Sequence, residues 1–216
     1  MPVQQMGGAP LADVQDNQRF AQGDESPAIG MVAGPILQTE RLDMRWLTLD
    51  DGPQLRAICD NQAVAATSGS VAHPYPEDEE IRFVRKVAEG TEKGTWYCFG
   101  LVVRETGVLI GDVSLHLNEE RFAAEIGYLL GEPYWGKGYA SEAAAAALRF
   151  SFETLGLRRI EGRCVTTHPA SARIMEKIGM TREGHLKDSF LKWGVFFDDY
   201  IYGITRDQWL TQQAGA

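Results

Sequence analysis

The chain has 216 residues, of which 44% are hydrophobic and 24% are charged, as is ordinary for a soluble globular protein. Its net charge of −9 argues against general nucleic-acid binding, because affinity for the phosphate backbone comes mainly from Lys and Arg. No apolar run is long enough to span a membrane. We therefore expect neither nucleic acid nor a membrane as a partner.

The cysteines point to a reducing compartment. Cys59, Cys98 and Cys164 are far apart, without a CxxC pair, and an odd number does not build a disulfide framework. Residues 1–35 lack the basic start and apolar core of a signal peptide. These features predict a cytoplasmic protein, and the spacing of the histidines predicts no metal site.

Composition divides the chain into a tail and one domain. Residues 1–35 are rich in Gly, Gln, Ala, Asp and Pro, and cannot bury enough apolar area to offset their ordering entropy. We expect a flexible N-terminal tail at 1–35 and a folded domain at 36–216. A tail that folds over the site or onto a partner subunit is the alternative.

Hydrophobic periodicity and turn residues predict the elements of the folded domain. In chain order they are a strand at 36–47, helices at 48–59 and 76–90, strands at 95–103, 108–117 and 122–130, a helix at 139–155, a strand at 159–166, a helix at 169–178, and strands at 181–189 and 195–205. The short turns between 95 and 130 predict an antiparallel meander. The unit from 122 to 166 predicts a right-handed crossover between parallel strands. The fold class is therefore mixed α/β.

A glycine turn at Tyr134–Ala140 connects the two strands of this crossover through the Ala-rich helix. Glycine lets a ligand approach the backbone, and the first N–H groups of a helix have no partner within the helix. The turn therefore predicts a site for a phosphorylated ligand. It matches neither the P-loop pattern nor the dinucleotide fingerprint, because Gly136-x-Gly138 has no third glycine. A purely structural tight turn is the alternative.

Several short motifs together carry a family resemblance. They are Thr39-Glu40-Arg41-Leu42, Ile110-Gly111-Asp112-Val113, Ala124-Glu125-Ile126-Gly127-Tyr128, the turn at 134–140, Ala170-Ser171, Glu176-Lys177-Ile178-Gly179-Met180, and Trp193-Gly194 followed by Asp199. In this order and spacing, over 36–206, the chain resembles the GCN5-related N-acetyltransferases (GNAT), and within them the ribosomal-protein N-terminal acetyltransferases. The resemblance implies the GNAT fold, a mostly antiparallel sheet of about seven strands with the cofactor at the crossover from the fourth to the fifth strand.

The resemblance also implies acetyl-CoA as the acetyl donor and direct transfer to an amine. By position, the turn would hold the pyrophosphate through Gly136, Lys137, Gly138, Tyr139, Ala140 and Ser141. The pantetheine arm would lie along the fourth strand at Tyr128, Leu129 and Leu130, where that strand leaves its neighbour, as extended ligands do at open strand edges. A backbone N–H near Leu129 would stabilise the oxyanion.

An amine must lose a proton before it attacks a thioester, so the reaction needs a base, directly or through water. Glu125 is the candidate, because it begins the fourth strand beside the expected thioester and its neighbours in sequence are apolar. The alternative is a structural carboxylate paired with Arg41 or Arg45.

Two departures from the family pattern affect the site. Met175 stands where many GNAT enzymes have a tyrosine that protonates the thiolate, which leaves Ser171 as the nearest hydroxyl; water or direct thiolate release is equally open. His168 stands where the branch has a cofactor-contacting asparagine. We expect His168 either to reach the pantetheine or to cap the following helix.

The sequence thus predicts an acetyl-CoA-dependent N-acetyltransferase that acts on a protein N-terminal α-amine. Acceptor loops vary while the cofactor frame persists, so a small amine such as a polyamine, an aminoglycoside or an amino-acid-like metabolite is the alternative acceptor. A non-catalytic acyl-CoA-binding module is the alternative of another class. A homodimer through the last strands or the tail is also expected as an option.

Overall fold

The computed structural model describes residues 36–215, so the predicted tail at 1–35 lies outside the described residues. The strands are β1 (Leu37–Gln38), β2 (Leu42–Trp46), β3 (Trp96–Val103), β4 (Leu109–Leu117), β5 (Ala123–Leu130), β6 (Arg159–Val165), β7 (Thr181–Lys192) and β8 (Val195–Thr205). The helices are α1 (Gly52–Cys59), α2 (Gln62–Thr67), α3 (Glu79–Glu92), α4 (Tyr139–Glu153), α5 (Pro169–Lys177) and α6 (Arg206–Ala214).

The described strands form one eight-stranded sheet in the order β1-β2-β3-β4-β5-β6-β8-β7. β5 and β6 pair in parallel, and every other neighbouring pair in the described chain is antiparallel. The predicted meander is β3-β4-β5, and the predicted crossover is β5-α4-β6. The mixed, mostly antiparallel α/β architecture is confirmed, with eight strands where about seven were predicted.

The extra strand arises because the predicted first strand at 36–47 is interrupted. The Thr39 N–H donates to the Leu42 carbonyl at 2.9 Å, which makes a tight turn between β1 and β2. Two short helices were also missed. α2 is capped by the Asn61 side chain, and α6 begins with a capping box of Thr205 and Gln208.

The two faces of the sheet are covered by different helices. α4 packs on one face through Ala143, Ala144 and Ala147, which are fully buried, and their small size lets the helix approach the strands closely. α1 and α3 cover the other face through Leu55 and the valines of α3. The part of the sheet from β2 to β5 is therefore enclosed on both sides, whereas β7 is mostly exposed.

Candidate active site

One large cleft opens where β5 and β6 separate. Their pairing extends only over Ala123–Glu125 against Arg159–Glu161, and beyond it the two strands diverge. The cleft has a volume of about 1250 Å³, and residues of α1, α3, β4, β5, β6 and α5, together with the start of α4, line it. It therefore passes through the sheet and reaches both of its faces.

The glycine turn forms one end of the cleft. Gly136 and Gly138 have φ values of +71° and +83°, which side chains other than glycine rarely adopt. Gly138 is the N-cap of α4 and has no side chain to cap it, so the first N–H groups of the helix are open to a ligand. The predicted residues Gly136, Gly138, Tyr139, Ala140 and Ser141 all line the cleft.

Lys137 is placed differently from its neighbours in the turn. Its residue does not belong to the cleft lining, and its ammonium lies 5.7 Å from the centre of the Tyr134 ring. Its carbonyl accepts a hydrogen bond from Arg41 Nη1 at 2.9 Å. In this structure Lys137 therefore contributes backbone to the turn, while its side chain stays at the rim.

The Thr39–Leu42 motif braces the turn from outside. Arg41 forms an ion pair with Glu142 in the first turn of α4, with Nη2 2.6 Å from Oε2. Thr39 Oγ1 and the Arg41 N–H both donate to Glu142 Oε1, at 2.5 and 2.9 Å. The Arg41 guanidinium also lies 4.4 Å from the centre of the Tyr139 ring. The alternative pairing of Arg41 or Arg45 with Glu125 is wrong, since Arg45 binds Asp51.

β5 presents an open edge to the cleft. The Gly131 N–H donates to the Ile110 carbonyl and the Asn118 N–H to the Ala123 carbonyl, both at 2.9 Å. In an antiparallel pair the direction of these groups alternates, so the Leu129 backbone points toward β4. The groups that face the gap belong to Tyr128 and Leu130. The expected oxyanion donor thus moves one residue away from Leu129.

The Leu130 carbonyl is already occupied, because Trp135 Nε1 donates to it at 2.8 Å. The free groups of this edge are therefore the N–H and C=O of Tyr128 and the N–H of Leu130. All three predicted β5 residues nevertheless line the cleft. The Leu129 side chain lies with Cys59 and Tyr75 in the part of the cleft on the α1 and α3 side of the sheet, which we call the acceptor half.

A pair of hydroxyls lies at the centre of the cleft. The Tyr128 hydroxyl is 2.8 Å from Ser171 Oγ and 3.1 Å from the Ser171 carbonyl. Burial raises the pKa of Tyr128. Met175 is 1% exposed and packs in the core, so it leaves no phenol on α5. A phenol is supplied instead from β5, which the sequence had assigned only to cofactor contact.

His168 is half-buried at the N-cap of α5 and lines the cleft. Its side chain makes no capping hydrogen bond, so that alternative is wrong. Burial and the nearby Arg173 lower the pKa of His168. A neutral imidazole therefore faces the cleft near Ser171.

Glu125 lies on the cleft wall without the apolar surroundings that its sequence neighbours suggested. Its side chain is 52% exposed, and its carboxylate is 3.8 Å from Arg163 Nε. Neighbours in a strand point to opposite faces of the sheet, so Ala124 and Ile126 turn away from it into the core. The Glu125 carboxylate is therefore open to solvent and to Arg163 rather than enclosed by apolar groups.

The acceptor half of the cleft contains an acid that sequence reasoning missed. Asp112 on β4 is 8% exposed and lines the cleft, and burial raises its pKa to about 7. Its Oδ1 is 3.6 Å from the Cys98 thiol. The available signal was the alternation in Asp112–Leu117, where polar residues occupy every second position of a strand that is buried on both faces.

A loop closes the acceptor half from above. Lys192, at the end of β7, donates to the carbonyls of Ala65, Ser68 and Val71, the last at 3.0 Å. This ammonium ties the loop after α2 to the β7–β8 hairpin. Within residues 36–215, no helix has the length and apolar composition to cross a membrane, and no three potential metal ligands lie together.

Comparison with known proteins agrees with this geometry. Residues 41–181 match the model of the acetyltransferase (GNAT) domain family. An uncharacterized N-acetyltransferase of Bacillus subtilis, YoaA, is 30% identical over 80% of this chain and 97% of its own. The [ribosomal protein uS5]-alanine N-acetyltransferase of Escherichia coli is 27% identical over 64% of this chain and 72% of its own.

Solved structures show the same fold. A GNAT-family acetyltransferase from Bacillus anthracis superposes with a TM-score of 0.71 at 29% identity, over 79% of this chain and 98% of its own. A spermidine N-acetyltransferase from Vibrio cholerae, solved with CoA and spermine, gives 0.70 at 23% identity, over 80% and 99%. The split sheet, the glycine turn and these matches lead to one conclusion: the chain belongs to the GNAT family of acetyl-CoA-dependent N-acetyltransferases.

Proposed function

We propose that this protein transfers the acetyl group of acetyl-CoA to the N-terminal α-amine of a protein. The observation that carries the proposal is one continuous cleft, which joins an anion-binding turn at one end to a buried carboxylate at the other through the gap between β5 and β6. A donor and an acceptor that enter from opposite ends would meet in that gap, which gives the proximity that acyl transfer needs.

The donor would occupy the end with the glycine turn. The pyrophosphate of acetyl-CoA binds the open N–H groups of Gly138, Tyr139, Ala140 and Ser141, aided by the α4 dipole. Gly136 and the Lys137 backbone shape the turn, and the Lys137 ammonium at the rim attracts the phosphates. The pantetheine amides pair with the open edge of β5 at Tyr128 and Leu130, beside Leu129, and His168 closes the opposite wall.

The thioester would then lie beside the hydroxyl pair. An N–H on the open edge of β5, at Tyr128 or Leu130, stabilises the oxyanion of the tetrahedral intermediate. Tyr128 protonates the departing thiolate and is reprotonated through Ser171, whose hydroxyl is 2.8 Å away. Glu125, with half of its side chain in solvent, accepts a proton from the acceptor only through water.

The choice of acceptor rests on the relative named for uS5-alanine acetylation, together with the volume of the cleft, about 1250 Å³, which leaves room for the end of a peptide. The alternative, a small amine, is supported by the fold neighbour named for spermidine and by the acidic side chains Asp112, Glu79 and Asp199 in the cleft lining. Asp199 accepts a hydrogen bond from Ser189 at 3.0 Å, so it is partly occupied.

A thiol-release assay with a panel of acceptors tests the proposal. Peptides that begin with Ala or Ser, a peptide blocked at its N-terminus that carries a free lysine, spermidine and an aminoglycoside form the panel. We expect turnover to be fastest with a free peptide N-terminus. Faster turnover with spermidine would select the small-amine alternative, and acetyl-CoA binding without turnover would support the non-catalytic module.

We also propose a cytoplasmic location and a homodimer. Cys59, Cys98 and Cys164 are buried free thiols, which suit a reducing compartment.

β7 is an edge strand, and the hairpin tip after it carries Trp193 and Phe196, which are 55% and 60% exposed. Such exposed apolar side chains favour association. Light scattering on the full chain would give the mass, and a monomer at every concentration would refute the dimer.

A further inference from the structure

β4 carries polar side chains on the face of the sheet that holds the acceptor half of the cleft. Val113 and Leu115 point into the core below α4, while Asp112 and Ser114 point the other way and line the cleft. Each of these two polar residues is 8% exposed. A strand that is buried on both faces normally reads as continuously hydrophobic, so these polar residues need an explanation other than packing.

Of these two residues, Asp112 costs more free energy to bury than Ser114. A buried carboxylate is normally paired with a cation, because removing its charge from water carries a large penalty. Among the described residues its hydrogen-bond partner is the weakly polar thiol of Cys98, and no described basic side chain forms an ion pair with it. The carboxylate therefore lacks the cation that would compensate its burial, and the cleft is where one could enter.

The position of Asp112 suits an incoming amine. Asp112 is paired with Leu129 in the β4–β5 register, one strand spacing from the open edge at Tyr128 and Leu130. That spacing is about 4.8 Å. The proposed thioester site and the carboxylate are thus neighbours across β5, on the acceptor side of the sheet.

We propose that Asp112 binds the amino group of the acceptor and takes its proton directly, as the catalytic base of the transfer; this inference rests on the proposed function. The acceptor ammonium gives one proton to the Asp112 carboxylate. The neutral nitrogen then adds to the thioester carbonyl, and the C–S bond breaks as the tetrahedral intermediate collapses. The second proton of the nitrogen replaces the one that Tyr128 gives to the thiolate, so CoA leaves as the free thiol. Asp112 later releases its proton to water.

The groups packed around Asp112 are neutral. They are Cys98 on β3 and Cys59 on α1, and Tyr75 packs in the same cluster as Cys59. Burial raises the pKa of Cys98 and of Tyr75, and it raises the pKa of Cys59 to about 12. Glu80 on α3 also acts on Cys59, but its carboxylate is ion-paired with Arg56 at 3.2 Å, so among the described residues no cation is paired with Asp112.

The acidity of this group also selects a class of acceptor. A base works best when its pKa is near the working pH, and that of Asp112 is raised to about 7. An α-ammonium has a pKa of about 7.7–8.0, whereas a lysine-type ammonium has a pKa of about 10.4. Proton transfer to Asp112 is therefore only slightly unfavourable from an α-amine and a few hundredfold less favourable, roughly, from an alkyl amine, which points to peptide N-termini.

The test compares Asp112→Asn with Glu125→Gln, using a peptide that begins with Ala as the acceptor. We expect Asp112→Asn to lower kcat at pH 7 by about 100-fold or more. We expect its dissociation constant for acetyl-CoA to stay within about twofold and its thermal stability to be retained, since a buried charge has been removed. Glu125→Gln removes a carboxylate that can act only through water, so it should lower kcat much less, by no more than about tenfold.

The pH profile of kcat/KM distinguishes catalysis from structure. The wild-type profile should have an acidic limb near pH 7, which Asp112→Asn loses and Glu125→Gln keeps. An undiminished rate in Asp112→Asn overturns the assignment of Asp112 as the base. A limb that disappears in Glu125→Gln instead does the same. Neither result affects the proposed function. If Asp112→Asn does not fold, a wild-type profile without a limb near pH 7 still overturns it. A wild-type protein that binds acetyl-CoA but acetylates no amine overturns the proposed function as well.

Discussion

Gly138 combines a left-handed backbone, with φ of +83°, and a position at the N-terminus of α4. A side chain in this conformation costs about 1–2 kcal/mol, and an added Cβ would lie 3.4 Å from Arg41 Nη2. We expect Gly138→Val to displace the N–H groups of the turn and to raise the KM for acetyl-CoA about tenfold, while the KM for the acceptor changes little. Steady-state kinetics with each substrate varied in turn measures both values.

A matched control is available in the β3–β4 turn. Gly107 also has a left-handed backbone, with φ of +67°, and no atom lies within 4 Å of an added Cβ. Gly107→Val should therefore cost stability without changing either KM. Equal increases in the KM for acetyl-CoA in both variants would mean that strain alone, and not the turn, explains the effect.

Removal of the Tyr128 hydroxyl tests whether β5 supplies the phenol that α5 lacks at Met175. Tyr128→Phe keeps the ring and removes the hydrogen bonds to Ser171. We expect kcat to fall by roughly 100-fold, the low end of the usual effect of an acid–base group, with little change in the KM for acetyl-CoA. Stopped-flow thiol release at saturating substrates measures this step.

The control for this change is Tyr202→Phe. The Tyr202 hydroxyl donates to Glu176 Oε1 at 3.0 Å, and Tyr202 is also buried, but it is not part of the cleft lining. Its loss should reduce stability by about 1 kcal/mol and leave kcat unchanged. A Tyr128→Phe protein with the wild-type kcat would assign the thiolate proton to water.

At the scale of elements, Thr39 and Arg41 in the β1–β2 turn hold α4 through Glu142, and the stability that this contact adds should depend on pH. Burial tends to raise the pKa of Glu142, but hydrogen bonds from Thr39 and Arg41 outweigh it, so the pKa is lowered on folding. A lowered folded pKa stabilises the protein above the unfolded value, about 4.3, and this contribution is lost as the pH falls through the folded value.

We therefore expect Glu142→Gln to reduce the free energy of unfolding by about 1 kcal/mol at pH 7, discounted for the partial exposure of Arg41. The difference should persist at pH 5, begin to decline below the unfolded value of about 4.3, and vanish once the pH has passed the lowered folded pKa. Urea unfolding over this pH range measures it. Glu89→Gln, which breaks the exposed pair of Glu89 and Lys93, is the control and should cost less than 0.5 kcal/mol. A constant difference down to pH 3 would contradict an electrostatic brace.

The sequence predicted most elements because their signals are local. The meander at 95–130 has turn residues between alternating strands, and Gly138 and the alanines mark the start of α4. The brace at Thr39 and Glu142 was not predicted, because the two residues are 103 positions apart and only the fold brings them together. α2 was missed because a six-residue helix has too few turns to show a period.

The sequence points to Glu125 as the base, but it gives little information about the surroundings of that side chain. Apolar neighbours in a strand point to the opposite face, so they say nothing about the environment of the side chain between them. The burial of Asp112 depends on α1, α3 and β3 together, so the sequence shows this residue only as one position of the Ile110–Val113 motif. A buried acid can be recognised from sequence only when the strand that carries it is known to be covered on both faces.

At the scale of the whole molecule, the gap between β5 and β6 separates the sheet into two parts. β6, β8 and β7 join the other strands through only three residue pairs, and α4 spans the junction. Acetyl-CoA bound to the turn and to the open edge of β5 would fill this gap. Because the unfolded chain has no such site, binding must stabilise the folded protein by about 2.7 kcal/mol at 100 times the dissociation constant.

For a domain of this size, that free energy raises the Tm by roughly 5–10 °C. Pantetheine, which lacks the pyrophosphate, should raise it much less, and Gly138→Val should reduce the effect of acetyl-CoA. Hydrogen exchange adds a residue-level check. The Tyr128 and Leu130 amides should become protected when acetyl-CoA binds, whereas the Leu129 amide, which already faces β4, should be protected in both states. Protection that appears at Leu129 alone would place the ligand on a different edge and refute the proposed cofactor site.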